Sequence, residues 1–333
     1  MTFDPAILTH YLAPIRAELD APGVTEVVVN RPGEFGVEGP EGWRWIAAPG
    51  LSAAVLTRIA VAAAAATAQD VSAERPVCST VLPGGERCQI VLPPAAEHVS
   101  LTLRKPSAAT FALEDLARAG YFDAAASAVT PLRRADPTLG SLREAGDWPA
   151  FFRQAVRDRR NILVSGATGS GKTTFAKALV GLIPEQERLI TIEDARELVL
   201  PHRNAVHLLY AKDGQGLARV SPRELLESAL RMRPDRILLQ ELRDASAFFY
   251  LRNVNTGHPG SITTVHANSA ALAFEQLTLL VKESEAGRDL HRDDIRDLLT
   301  TLVDVVVHVE RQGGRFRLAE VWHEPLRPRA VAA

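Results

Sequence analysis

The first hundred positions alternate short β-branched runs with turn residues. Residues 24–30 (VTEVVVN) form such a run and stop at Arg31-Pro32-Gly33, a strand followed by a turn. Residues 35–37 and 43–46 read as two more short strands, separated by Gly39-Pro40-Glu41-Gly42. An alanine-rich segment at residues 51–69 then reads as a packed helix. Residues 77–82, the turn Pro83-Gly84-Gly85, and residues 87–92 and 98–103 supply three further strands. In the last of these, Val99, Leu101 and Leu103 alternate with Ser100, Thr102 and Arg104. The pattern predicts an α+β domain over residues 1–105 with a mostly antiparallel sheet.

From residue 106 to residue 149 strand signals vanish. Short amphipathic pieces are punctuated by Pro131, Pro137, Gly140 and Gly146, as in a helical linker with a flexible stretch at residues 130–141. Over residues 150–333 the pattern becomes strand, helix, strand, helix. Residues 162–164, 189–192, 236–240 and 261–265 are apolar runs of the buried parallel type, interleaved with helical segments at 172–182, 222–232 and 270–282. Residues 303–309 and 316–321, joined through Gln312-Gly313-Gly314, predict a terminal hairpin. The second domain is therefore α/β.

Composition narrows the class without naming a function. Hydrophobic residues at 46% and charged residues at 23% fit a soluble globular protein, not a disordered chain or a rod. A formal charge of −2 lacks the basic footprint of nucleic-acid binding, so no direct nucleic-acid partner is expected. Cys78 and Cys88 have neither CxxC spacing nor a nearby histidine, and read as small buried residues. The N-terminus lacks the basic and apolar regions of a signal peptide, and Arg58 interrupts the apolar stretch at 51–69. A cytoplasmic location with no membrane span is the expectation.

Chemistry enters at residues 166–173. Gly166, Ala167, Thr168, Gly169, Ser170, Gly171, Lys172 and Thr173 match G-x-x-x-x-G-K-[ST], with a strand before and a helix after. Glycines let backbone N–H groups wrap phosphates, Lys172 reaches the β/γ-phosphates, and the Thr173 hydroxyl ligates Mg²⁺; Thr174 continues the cradle into the helix. The chain has five lysines against many arginines, so a lysine here is informative in itself. ATP hydrolysis also needs a carboxylate to orient water, and Glu241 at the end of strand 236–240 is the candidate. Gln240 stands where many P-loop enzymes have a Mg²⁺-holding aspartate.

Glu193, Asp194 and Glu197 follow strand 189–192, where strand ends of an open α/β sheet line the ligand crevice. His258 and His266 could sense a γ-phosphate, although spacing alone favours packing or surface residues. Arg231, Arg233 and Arg243 bracket the Glu241 strand, while Arg87 and Arg104 lie in the first domain; a solvated face accounts for most of them.

Taken together these motifs resemble the VirB11-like traffic ATPases of type IV secretion systems. The P-loop is followed in order by the acidic box from Ile190 to Leu198, by the stretch from Arg231 to Arg243, and by the box ending Val265-His266-Ala267-Asn268. In the first domain, residues 24–33, 89–94 and 103–107 also look like that type. The resemblance implies a RecA-like ATPase domain, a homo-hexameric ring, and peripheral association with inner-membrane secretion components at the cytoplasmic face. It implies ATP and Mg²⁺ at Lys172 and Thr173, Glu241 as general base, and Glu193 and Glu197 assisting. Arg233 would contact phosphate, His266 would read the γ-phosphate, and Arg87 and Arg104 would reach nucleotide from the N-terminal domain. Gln240 and Ala195 depart from the usual pattern. Type II secretion ATPases commonly carry a four-cysteine zinc insert that two cysteines cannot supply. Pilus-retraction ATPases and RecA-like nucleic-acid motors remain as alternatives.

Overall fold

The computed structural model describes residues 5–106, 112–123, 137–212, 215–244, 246–255 and 257–323. In the first domain Leu8, Leu12, Ile15 and Leu19 recur every three or four positions, so α1 (Pro5–Asp20) buries one stripe. Strands β1 (Glu26–Val29), β2 (Glu34–Gly39) and β3 (Gly42–Ala47) precede α2 (Ala53–Ala65), whose N-terminus is capped by the Ser52 hydroxyl. Strands β4 (Val77–Val81), β5 (Arg87–Val91) and β6 (Ser100–Arg104) complete an antiparallel sheet in the order β3-β2-β1-β6-β5-β4. Its inner face packs Val27, Val29, Phe35, Val37, Ile90, Leu101 and Leu103 against both helices. Cys78 and Cys88 are free thiols buried in this core, where burial raises the pKa of both.

Two short helices, α3 (Leu113–Arg118) and α4 (Pro137–Glu144), lie in the linker region. Of the stretch expected to be flexible, residues 130–136 lie outside the described residues and 137–141 belong to α4. Leu139 of α4 shares a core with Phe151, Phe152 and Val156 of α5 (Trp148–Arg157), so packing of the second domain begins at α4.

The second domain places β7 (Ile162–Ser165), β8 (Leu189–Glu193), β9 (Ala205–Leu209), β10 (Arg236–Leu239), β11 (Glu241–Leu242), β12 (Ile262–Val265), β13 (Val305–Gln312) and β14 (Arg315–Trp322) in two ladders. Their orders are β10-β8-β9 and β11-β12-β7-β13-β14. Gln240 joins them: its N–H donates to Ile192 and its carbonyl accepts from the Thr264 N–H. All pairs are parallel except the β13–β14 hairpin, which turns through Gly313 and Gly314, both at positive φ. Helices α6 (Lys172–Val180), α7 (Pro222–Ala229), α8 (Ser246–Asn255), α9 (Ala270–Glu283) and α10 (Arg292–Leu302) flank the strands. A Ser221–Glu224 capping box with Pro222 fixes the start of α7.

The seam between domains is polar. Arg188 is fully buried and donates to Asn30 and Thr102 of the first domain and to Asn204 and the Met232 carbonyl of the second. Burial pulls its pKa down to about 10. Gln89 donates to Ser228, and the Leu209 N–H donates to the Ala95 carbonyl, so the first domain extends the β9 edge.

Candidate active site

The four-residue strand β7 is entirely buried and ends at Ser165, whose hydroxyl donates to the Val307 carbonyl and lies 3.1 Å from His308 Nδ1. The chain then leaves the sheet through residues 166–171. Gly169 and Gly171 adopt φ of +74° and +92°, a region that side chains resist. A methyl group on Gly166 would lie 2.3 Å from Ser170 Oγ and 2.4 Å from the Val309 carbonyl, so only glycine fits that bend. Ser170 Oγ is buried without a hydrogen-bond partner among the described residues. A cleft of about 430 Å³ beside it is lined by Ala167, Thr168, Gly169, Ser170, Asn268 and the end of β13.

Lys172 opens α6, and its ammonium donates to the Gly166 and Ala167 carbonyls at 2.9 Å and to His266 Nδ1 at 3.3 Å. Burial lowers its pKa, and Glu241 opposes that shift. An ammonium has no lone pair, so His266 Nδ1 must be the acceptor and Nε2 carries the proton. That Nε2–H lies 2.6 Å from Glu241 Oε1. His266 therefore links the P-loop lysine to the candidate base. On the other side of Glu241, Arg243 approaches at 3.4 Å, also pairs with Asp194 and reaches Tyr210. Lys172, His266, Glu241, Arg243 and Asp194 form one contiguous polar chain across the ends of β7, β12, β11 and β8.

Glu193 is buried under this layer. Its carboxylate accepts from Thr191, from the Glu197 and Leu198 N–H groups, and from His207 Nδ1. Burial raises its pKa, but the His207, Leu198, Thr191 and Glu197 hydrogen bonds outweigh that and hold it low. Glu193 thus staples the 194–198 loop, while Glu197 itself is exposed.

Other candidates are placed elsewhere. Arg233 pairs with Glu38 at 2.7 Å and Asp235 at 3.9 Å, away from the P-loop cleft. Arg87 and Arg104 are register partners on β5 and β6, and with Arg231 they line a separate cavity of about 460 Å³. That cavity shares no lining residue with the P-loop cleft. His258 contacts the Pro234 carbonyl and is lowered in pKa by burial. His207, Tyr210 and His308 escaped the sequence reading; His207 and His308 sit within the short apolar runs of β9 and β13.

The donor set fits Mg²⁺ bound with nucleotide. Among the described residues no cluster of three or more His, Cys, Asp or Glu could hold a metal. Magnesium commonly takes one or two protein ligands and completes its shell with phosphate and water. Thr173, in the first turn of α6, meets that need.

Comparison with known proteins identifies the family. Residues 138–312 match the family described as Type II/IV secretion system protein. The chain is 50% identical over 339 residues to the type IV secretion system protein VirB11 of Bartonella quintana, covering 98% of this chain and 95% of that protein. The VirB11 of Brucella suis is 46% identical over 336 residues, covering 98% and 93% respectively. The chain belongs to the VirB11 family. The solved VirB11 ATPase from the Brucella suis type IV secretion system, in complex with sulphate, superposes with a TM-score of 0.90 at 45% identity, covering 96% of this chain and 95% of that one. The fold is thus a RecA-like ATPase domain behind an α+β domain, and the enzyme is an ATPase of type IV secretion.

Proposed function

We propose that this chain hydrolyses Mg²⁺·ATP at the P-loop cleft and converts turnover into domain motion as a homo-hexameric ring, held peripherally at the cytoplasmic face of the inner membrane by secretion-system partners. The observation that carries the reading is the bonded series from Lys172 through His266 to Glu241. Residues 166–174 hold the phosphates, with Thr173 on the metal. Bound Mg²⁺ would neutralise charge on the β- and γ-phosphate oxygens. Glu241 orients and deprotonates the attacking water, and His266 pins its carboxylate while reading the γ-phosphate. A phosphate arriving at Lys172 competes with the Gly166 and Ala167 carbonyls and with His266, so binding loosens the grip on Glu241.

Glu193 and Glu197 shape the acidic loop beside this centre. Arg87 and Arg104 sit apart from their own P-loop, and with Arg231 they suit the phosphates of nucleotide held by a neighbouring copy. Arg233 contributes at the domain seam, where it pairs with Glu38. Peripheral attachment accords with the finding that no helix among the described residues is long and apolar enough to cross a membrane.

Calorimetry with Mg²⁺·ATP and a phosphate-release assay test the site. Glu241→Gln is expected to bind ATP within about threefold of wild type and to lose turnover by at least a hundredfold. Lys172→Ala is expected to lose both. Undiminished turnover in Glu241→Gln would remove Glu241 as the base, and sedimentation as a monomer with nucleotide would remove the ring.

A further inference from the structure

Phe316 is a large aromatic side chain left 60% exposed at the start of β14, between Arg315 and Arg317. It lies directly on the P-loop: a methyl group on Gly171 would come within 2.9 Å of its ring. Its register partner on β13, Arg311, holds its guanidinium carbon 5.7 Å from the ring centre and also lines the P-loop cleft. Neither residue belongs to the Lys172–Glu241 series.

The sheet order gives this pair a direction. In β11-β12-β7-β13-β14, Glu241 and His266 stand on one side of the P-loop strand and the hairpin stands on the other. The reacting γ-phosphate must face Glu241. A nucleotide whose phosphates follow the P-loop therefore sends its nucleoside end away from β12 and over β13 and β14. There it meets an exposed aromatic face with a guanidinium beside it. We propose that Phe316, flanked by Arg311, is the platform on which the nucleobase of the bound nucleotide stacks. Every base has a π-face, so the contact adds affinity for the nucleoside without reading its hydrogen-bonding edge. Phe316 is accordingly a binding residue for the half of the substrate that the P-loop does not grip, and this assignment rests on the P-loop as the phosphate site.

Calorimetry with Mg²⁺·ATP and with Mg²⁺·tripolyphosphate, which has no base, tests the assignment on wild type, Phe316→Ala and Phe316→Tyr. Phe316→Ala is expected to weaken ATP about tenfold, within the usual range for losing one base–aromatic stack, and to leave tripolyphosphate unchanged. Phe316→Tyr keeps the ring and is expected to stay within twofold of wild type for both. Equal weakening of ATP and tripolyphosphate would show that Phe316 merely props the P-loop, and no weakening of either would show an idle ring; both results overturn the proposal. Wild type that binds neither compound would instead bring down the P-loop reading, and the platform with it.

Discussion

Glu26 is the buried carboxyl whose environment most clearly sets a pH dependence. It lies on β1 between Glu38 and Arg104 in register, is 2% exposed, and its Oε2 has no hydrogen-bond partner among the described residues. Burial raises its pKa from 4.5 to about 7; Arg104, Arg233 and Arg188 pull against that, and Glu38 adds to it. The folded chain therefore holds a proton that the unfolded chain releases first. Stability falls as pH rises across the window from 4.5 to about 7, and the penalty is complete above it. Each pKa unit corresponds to about 1.4 kcal/mol, so the full effect is about 3 kcal/mol. Glu26→Gln is close in shape to the protonated acid and cannot ionise. In urea unfolding followed by tryptophan fluorescence, the variant is expected to exceed wild type by under about 1 kcal/mol at pH 5 and by about 3 kcal/mol at pH 8. Parallel stability profiles from pH 5 to pH 8 would refute the reasoning, because a group ionised in both states gives no such divergence.

The other expectations concern buried polar groups. Arg236 is fully buried, donates twice to Glu187 and once to the Val156 carbonyl, and its loss in Arg236→Met leaves the buried Glu187 carboxylate with Arg159, at 3.4 Å, as its remaining cationic partner among the described residues. A cost of about 3–5 kcal/mol is expected by denaturation, and a change under about 1 kcal/mol would contradict it. His207→Ala removes one donor from the buried Glu193 carboxylate and loosens the 194–198 loop. Turnover is expected to fall about three- to tenfold with KM for ATP little changed, as read in steady-state kinetics; a change confined to KM would place the effect on binding instead.

How far the site could be read in advance depended on the range of the interactions. The P-loop is a local device: glycines where the backbone must bend, and a lysine and a threonine that open a helix. Those residues appear together in the chain, and Gly169 and Gly171 have the positive φ that their spacing demands. Glu241 was legible as the end of a buried strand. Among the elements that the sequence reading did not name, two escaped for different reasons. The α1 stripe of Leu8, Leu12, Ile15 and Leu19 was present in the sequence, although Pro14 interrupts the helix. The β9 strand is only five residues long and carries His207 at its centre, which obscures its apolar character.

By itself, then, the sequence determined two domains of different sheet type, a phosphate cradle, and which acids and histidines end strands. Each of these follows from spacing along a few neighbouring residues. Tertiary structure decided the partners. It brought His266 between Lys172 and Glu241, residues 94 and 25 positions away, because parallel strands align their ends however far apart they lie in the chain. It gave Glu193 the N–H groups of a loop to anchor, and it set Arg233 against Glu38 at the domain seam. It set Arg87 and Arg104 beside Arg231 and away from their own P-loop, since a β-strand fixes the face of a side chain while domain packing fixes what that face meets.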